Sequence, residues 1–150
     1  MKLIKSSIFL LFALLLVISC KNSEKEIHTM TNHEEHLAQE AMEIHLNNNQ
    51  PWEANIETTQ GIMVMQNALK SFTEKEDLGE YKNLKSKLEN EFATLVEKCT
   101  MTGEAHDQLH NFLMPMKVYF NQLGASDIKD AKEGFTKLEK HLSYYTTYFK

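Results

Sequence analysis

Between residues 99 and 110 the chain reads Cys-Thr-Met-Thr-Gly-Glu-Ala-His-Asp-Gln-Leu-His, which gathers a thiol, a thioether and two imidazoles into one short run. His106 and His110 stand four residues apart and Met114 extends the row by four more. On a helix that spacing puts side chains on one side, the arrangement that lets two rings share an ion. The full pattern is Cys-x-Met-x4-His-x3-His-x3-Met. Thiolate and thioether are soft donors that favour Cu(I), imidazole accepts copper or zinc, and a carboxylate-poor set disfavours calcium and magnesium. Cys99, Met101, His106, His110 and Met114 are therefore the candidate ligands, with copper(I) expected ahead of zinc(II). Met63 and Met65 could add thioethers from another helix.

A looser group lies nearer the start of the chain: His28, Met30, His33, His36, Glu40, Met42 and His45. Within it His33, His36 and Glu40 share one helical side and resemble a harder, zinc-like capture site. His141 stands alone. All these residues also have a plain packing reading. Cys99 follows Leu95 and Val96 by four and three, so it fits a buried core thiol. Met65 and Met116 fall at stripe positions and fit core filler.

The elements that must hold the candidate ligands are helical. Thr58, Ile62, Met65, Leu69 and Phe72 recur every three or four residues between Asn55 and Phe72, and Leu78, Tyr81, Leu84, Leu88, Phe92, Leu95 and Cys99 form a second stripe. Leu109, Leu113, Met116, Phe120 and Leu123 make a third, which starts after Thr102-Gly103 and stops at Gly124. Ile128, Ala131, Phe135, Leu138, Leu142, Tyr145 and Phe149 make a fourth, with Ser126 as its expected cap. Five glycines and two prolines are too few for the regular turns of an all-β fold. Connections of a few residues make neighbouring helices antiparallel. The expectation is an all-α, antiparallel up-down four-helix bundle with an extra short N-terminal helix over 33–47, which carries Leu37, Ala41 and Ile44 and ends at Asn47-Asn48-Asn49-Gln50-Pro51. Trp52 reads as a staple that packs this linker onto the core. Pro115 interrupts the third helix and leaves the Asn111 carbonyl without its donor, which predicts a kink beside His110.

Lys2 and Lys5 precede a nearly unbroken apolar stretch from Ile8 to Ile18, closed by Leu16-Val17-Ile18-Ser19-Cys20. This reads as a secretory signal, too short to span a membrane. Its end resembles the lipobox of bacterial lipoproteins, with Val17 where leucine is commoner. The resemblance implies cleavage before Cys20, acylation of Cys20 and firm attachment to a membrane outside the cytoplasm. Residues 1–19 are then a signal peptide, 20–32 a flexible lipidated tether and 33–150 the bundle domain. From Trp52 onward the chain also resembles small envelope lipoproteins that carry a Cys-Thr-Met-x-Gly-x-Ala-His-x-x-Leu-His run, a likeness that implies no activity. With Cys20 acylated, Cys99 is left without a disulfide partner in an oxidising compartment, where an unused thiol is a liability.

Loss of residues 1–19 removes Lys2 and Lys5 and leaves 14 basic against 21 acidic residues, a net charge of −7. That balance argues against nucleic acid as a partner. The chain contains no arginine, so the planar fork that grips phosphates is missing. No Cys-x-x-Cys-His, paired Glu-x-x-His or glycine-rich phosphate motif occurs. Nothing near Cys99 orients a histidine as a thiol nucleophile would need, so no enzyme activity is expected. The sequence points to a lipoprotein of the outer membrane, facing the periplasm or the cell surface. It would bind a soft metal for buffering, delivery or resistance and work with a metal efflux or metallochaperone partner. The rival is a non-catalytic scaffold lipoprotein in which the same residues merely pack; haem held between helices by histidine and methionine is a third option.

Overall fold

The computed structural model describes residues 43–150. The expected signal peptide, the expected acylation of Cys20, the expected tether and the candidate His33, His36 and Glu40 group lie outside the described residues.

The described residues form a helical bundle of four long helices and one short one: α1 (Ile56–Lys70), α2 (Leu78–Lys98), α3 (Gly103–Leu123), α4 (Ile128–Ser143) and α5 (Tyr145–Tyr148). None of these helices is long and apolar enough to cross a membrane. The expected stripes are the ones buried. Ile62, Met65, Leu88, Leu95, Leu109, Met116, Leu123, Leu138 and Leu142 are all sealed from solvent, and each contributes about 1.5–3 kcal/mol by leaving water. α1 packs chiefly on α2 and α3 on α4, while α2 against α3 and α1 against α4 close the core. Gly134 allows the closest approach. A Cβ there would lie 2.8 Å from the backbone nitrogen of Leu123 and 2.6 Å from Gln122 Cβ.

Local chemistry sets the helix ends. Asp77 starts α2 by accepting from the Gly79 and Glu80 amides at 2.7 and 3.3 Å. Asp127, rather than the expected Ser126, caps α4 by accepting from the Lys129 amide at 2.7 Å. α3 opens at Gly103 with φ +61°, in the left-handed region where a side chain is strained. This lets the chain reverse within residues 99–102. α3 then continues through Pro115.

Two segments differ from the periodic pattern. Residues 43–47, expected at the end of a first helix, are not helical. Asn48 and Asn49 adopt φ 49° and 63°, closing a tight turn in which Asn47 and Gln50 exchange backbone hydrogen bonds. The fourth helix, expected to run to Phe149, ends at Ser143. Its stripe still points inward, because Tyr145 and Phe149 are buried. Trp52 donates its amide to the Tyr148 carbonyl at 2.7 Å and Lys150 donates to the Trp52 carbonyl at 3.0 Å, so the chain end runs parallel to residues 52–54. Trp52 is buried in the core as a staple should be, with its indole nitrogen donating to the His45 carbonyl. The His45 amide in turn donates to Gln108 Oε1 at 2.7 Å.

Candidate functional site

The turn between α2 and α3 decides where the donors fall. Cys99 caps α2 with extended backbone, φ −67° and ψ 120°, which ends the helix and directs the chain toward α3. Asn55, at the start of α1, donates its side-chain amide to the Lys98 carbonyl at 3.2 Å and so satisfies one of the open acceptors at the end of α2. The reversal returns the first turn of α3 to Cys99. Its Sγ lies 3.8 Å from His106 Nδ1, as a long sulfur contact.

That separation suits a shared ion. With the metal about 2.3 Å from sulfur and about 2.0 Å from nitrogen, a 3.8 Å gap corresponds to an angle of roughly 125° at the metal. His110 stands next along the row, its ring centroid 4.7 Å from that of His106 and its plane turned by 68°. Cys99, His106, His110 and Met114 all line one groove of about 120 Å³ between α2 and α3. Phe92, Leu109 and Leu113 form its apolar wall, and Lys117 stands at its far end along α3. Cys99 and His106 are partly buried, while His110 and Met114 are exposed. The tightest pair of donors thus lies deeper than the other two.

The remaining candidates lie elsewhere. Met101 is partly buried against the core and does not line the groove. Met65 is sealed in the core and Met63 stands exposed on α1, so neither thioether reaches the groove. Among the described residues, no three histidine, cysteine, aspartate or glutamate side chains converge closely enough to hold one ion. The donor set in this conformation is one sulfur and one nitrogen, with His110 and Met114 adjacent.

Tyr145 lies near enough to Cys99 to respond to its charge. Burial pushes its hydroxyl above the ordinary tyrosine range; the hydrogen bond with Thr59 opposes this, and negative charge on Cys99 adds to it. Thr59 Oγ1 and the Tyr145 hydroxyl lie 2.9 Å apart.

His141, which the sequence left without a role, is 4% exposed and packs beneath α3. Its Nε2 lies 2.7 Å from the Phe112 carbonyl oxygen, which can only accept, so the ring donates from that nitrogen. The ring also stacks on Phe112 with centroids 4.5 Å apart. This ties α4 to the turn of α3 that Pro115 disturbs. A buried histidine hydrogen-bonded in this way is structural, and no sequence neighbour signals it.

Comparison of the chain with known protein families, with curated proteins and with solved structures returned no match.

Proposed function

We propose that this chain is a non-catalytic lipoprotein of the bacterial envelope, anchored through Cys20, whose bundle holds one Cu(I) ion between Cys99 and His106. The connections at 71–77, 99–102 and 124–127 are short, which favours an up-down antiparallel order of the four long helices. That order sets the metal-binding turn at one end of the bundle. The observation that carries the reading is the 3.8 Å separation of Sγ from Nδ1 inside a groove that also exposes His110 and Met114.

Copper is preferred to zinc on donor count and softness. Structural zinc is almost always held by four ligands in a tetrahedron, whereas the convergent donors are two, with a thioether beside them. A thiolate and an imidazole, supplemented by His110 or Met114, make a soft set of low coordination number suited to Cu(I). The exposed pair at the rim also gives a receiving protein access to the ion. The work of the site is then buffering, delivery or resistance, in company with an efflux or metallochaperone partner.

Titration of the reduced, detergent-solubilised full-length chain with Cu(I) against a competing chelator tests this. The expected result is one equivalent bound tightly, lost in Cys99→Ser and again in His106→Ala, with zinc competing poorly. Uptake that is weak in the parent and equal in both variants would refute the reading and leave a scaffold in which these residues only pack.

A further inference from the structure

Asn55 stands at the start of α1, where a side chain ordinarily accepts from the amide two or three residues further on. Its side chain makes no such bond. It reaches instead toward the end of α2. Nδ2 donates to the Lys98 carbonyl at 3.2 Å and to Glu57 Oε2 at 2.8 Å, while Oδ1 accepts from the Thr58 hydroxyl at 2.6 Å. Carbonyl and carboxylate oxygens only accept, so the amide has a single orientation in which all three contacts are made. Thr58 is sealed from solvent, and its hydroxyl therefore fixes the inner end of this chain of bonds in the core.

Lys98 is the last residue of α2 and Cys99 follows it. The hold of α2 on Cys99 is weak, since its amide reaches the Val96 carbonyl only at 3.4 Å, beyond the usual range for such a bond. The Lys98 carbonyl belongs to the rigid peptide plane that leads into Cys99. A bond to that oxygen sets the direction from which the Cys99 side chain departs. One turn earlier α1 also meets α2 closely, because a Cβ on Gly61 would lie 3.0 Å from the Leu95 side chain. α1 thus grips α2 twice just before the thiol, by packing at Leu95 and by a hydrogen bond at Lys98.

We propose that Asn55 is a positioning residue of the metal site, which keeps the Cys99 sulfur turned toward His106 by holding the Lys98 carbonyl. The inference takes its purpose from the copper reading, while the tie itself belongs to the metal-free chain. Residues that orient a ligand without touching the metal are commonly worth about tenfold or more in affinity.

Asn55→Asp in the full-length, detergent-solubilised chain tests the proposal. Aspartate starts a helix as well as asparagine does and still accepts from Thr58, but it cannot donate to Lys98. The urea midpoint should stay close to that of the parent while Cu(I) affinity falls by about tenfold. Thr58→Val, which releases the Asn55 amide but keeps its donor, should lose less affinity. Without metal, a proton Overhauser contact between the Cys99 Cβ and the His106 ring is expected in the parent and should vanish in Asn55→Asp. A folded Asn55→Asp variant that retains this contact, or a parent that lacks it, would overturn the proposal. An affinity loss that only tracks a lowered urea midpoint would overturn it as well. A parent that takes up no Cu(I), but whose contact is lost in Asn55→Asp, would refute the copper reading and still support the positioning of Cys99 by Asn55.

Discussion

The imidazole of His141 lies against the Phe112 ring and donates from Nε2 to the carbonyl oxygen of the same residue at 2.7 Å, so one residue of α3 holds it twice. Burial lowers its pKa below the ordinary histidine range of about 6.5, and the bond to the Phe112 carbonyl opposes this in part. The folded state therefore keeps the ring neutral, while the unfolded chain takes up a proton more readily. This contribution to stability is complete above about pH 6.5, and is lost as the pH falls from there through the lowered folded value. Urea midpoints should fall as the pH is taken below about 6.5. In His141→Gln the midpoint should start lower and depend less on pH across that window. An identical slope in parent and variant would remove His141 as the cause.

Gly134→Ala separates packing from helix propensity. In an open helix the change favours folding by about 1 kcal/mol. Here the new methyl would lie 2.8 Å from the Leu123 backbone nitrogen, which no side-chain rotation relieves. A net loss of about 1–3 kcal/mol is expected by chemical denaturation. A stabilised variant would mean that α3 and α4 do not approach so closely.

Trp52 joins the linker, the core and the chain end. Truncation to alanine should cost about 3–5 kcal/mol. Trp52→Phe retains most of the buried ring but leaves the His45 carbonyl without the indole donor, at a cost of about 1–3 kcal/mol. Because the backbone of Trp52 pairs with Tyr148 and Lys150, Trp52→Ala and Phe149→Ala should be non-additive in a double-mutant cycle. Additive losses would mean that the two side chains do not pack against each other beside the paired backbones.

The four long helices were legible because apolar residues recur every three or four positions, and the helices bury those same stripes. Tyr145 and Phe149 turn inward as periodicity requires even though the helix stops at Ser143. Beyond the short α5 the chain pairs with residues 52–54, far away in sequence, and such pairing leaves no local pattern to read. The non-helical path of 43–47 was hidden for a similar reason. Leu37, Ala41 and Ile44 suggest a helix, but the His45 amide is bonded to Gln108 and the asparagines bend the backbone into a turn. At the site, Cys99 and His106 were readable from their spacing across a short reversal. Met63 and Met65 were not, because thioether chemistry says nothing about which helix face a residue occupies, and burial puts one in the core and the other in solvent. Met65→Leu should accordingly leave copper affinity unchanged and cost less than about 1.5 kcal/mol of stability.

Cys99 and His106 are proposed to share a soft ion. X-ray absorption at the copper edge of the stoichiometric Cu(I) complex tests it most directly. A low-coordinate ion with both sulfur and imidazole nitrogen in its nearest shell is the expected result, with the sulfur signal gone in Cys99→Ser and the imidazole signal reduced in His106→Ala. Copper surrounded only by oxygen and nitrogen, or a sulfur signal that survives Cys99→Ser unchanged, would contradict the account.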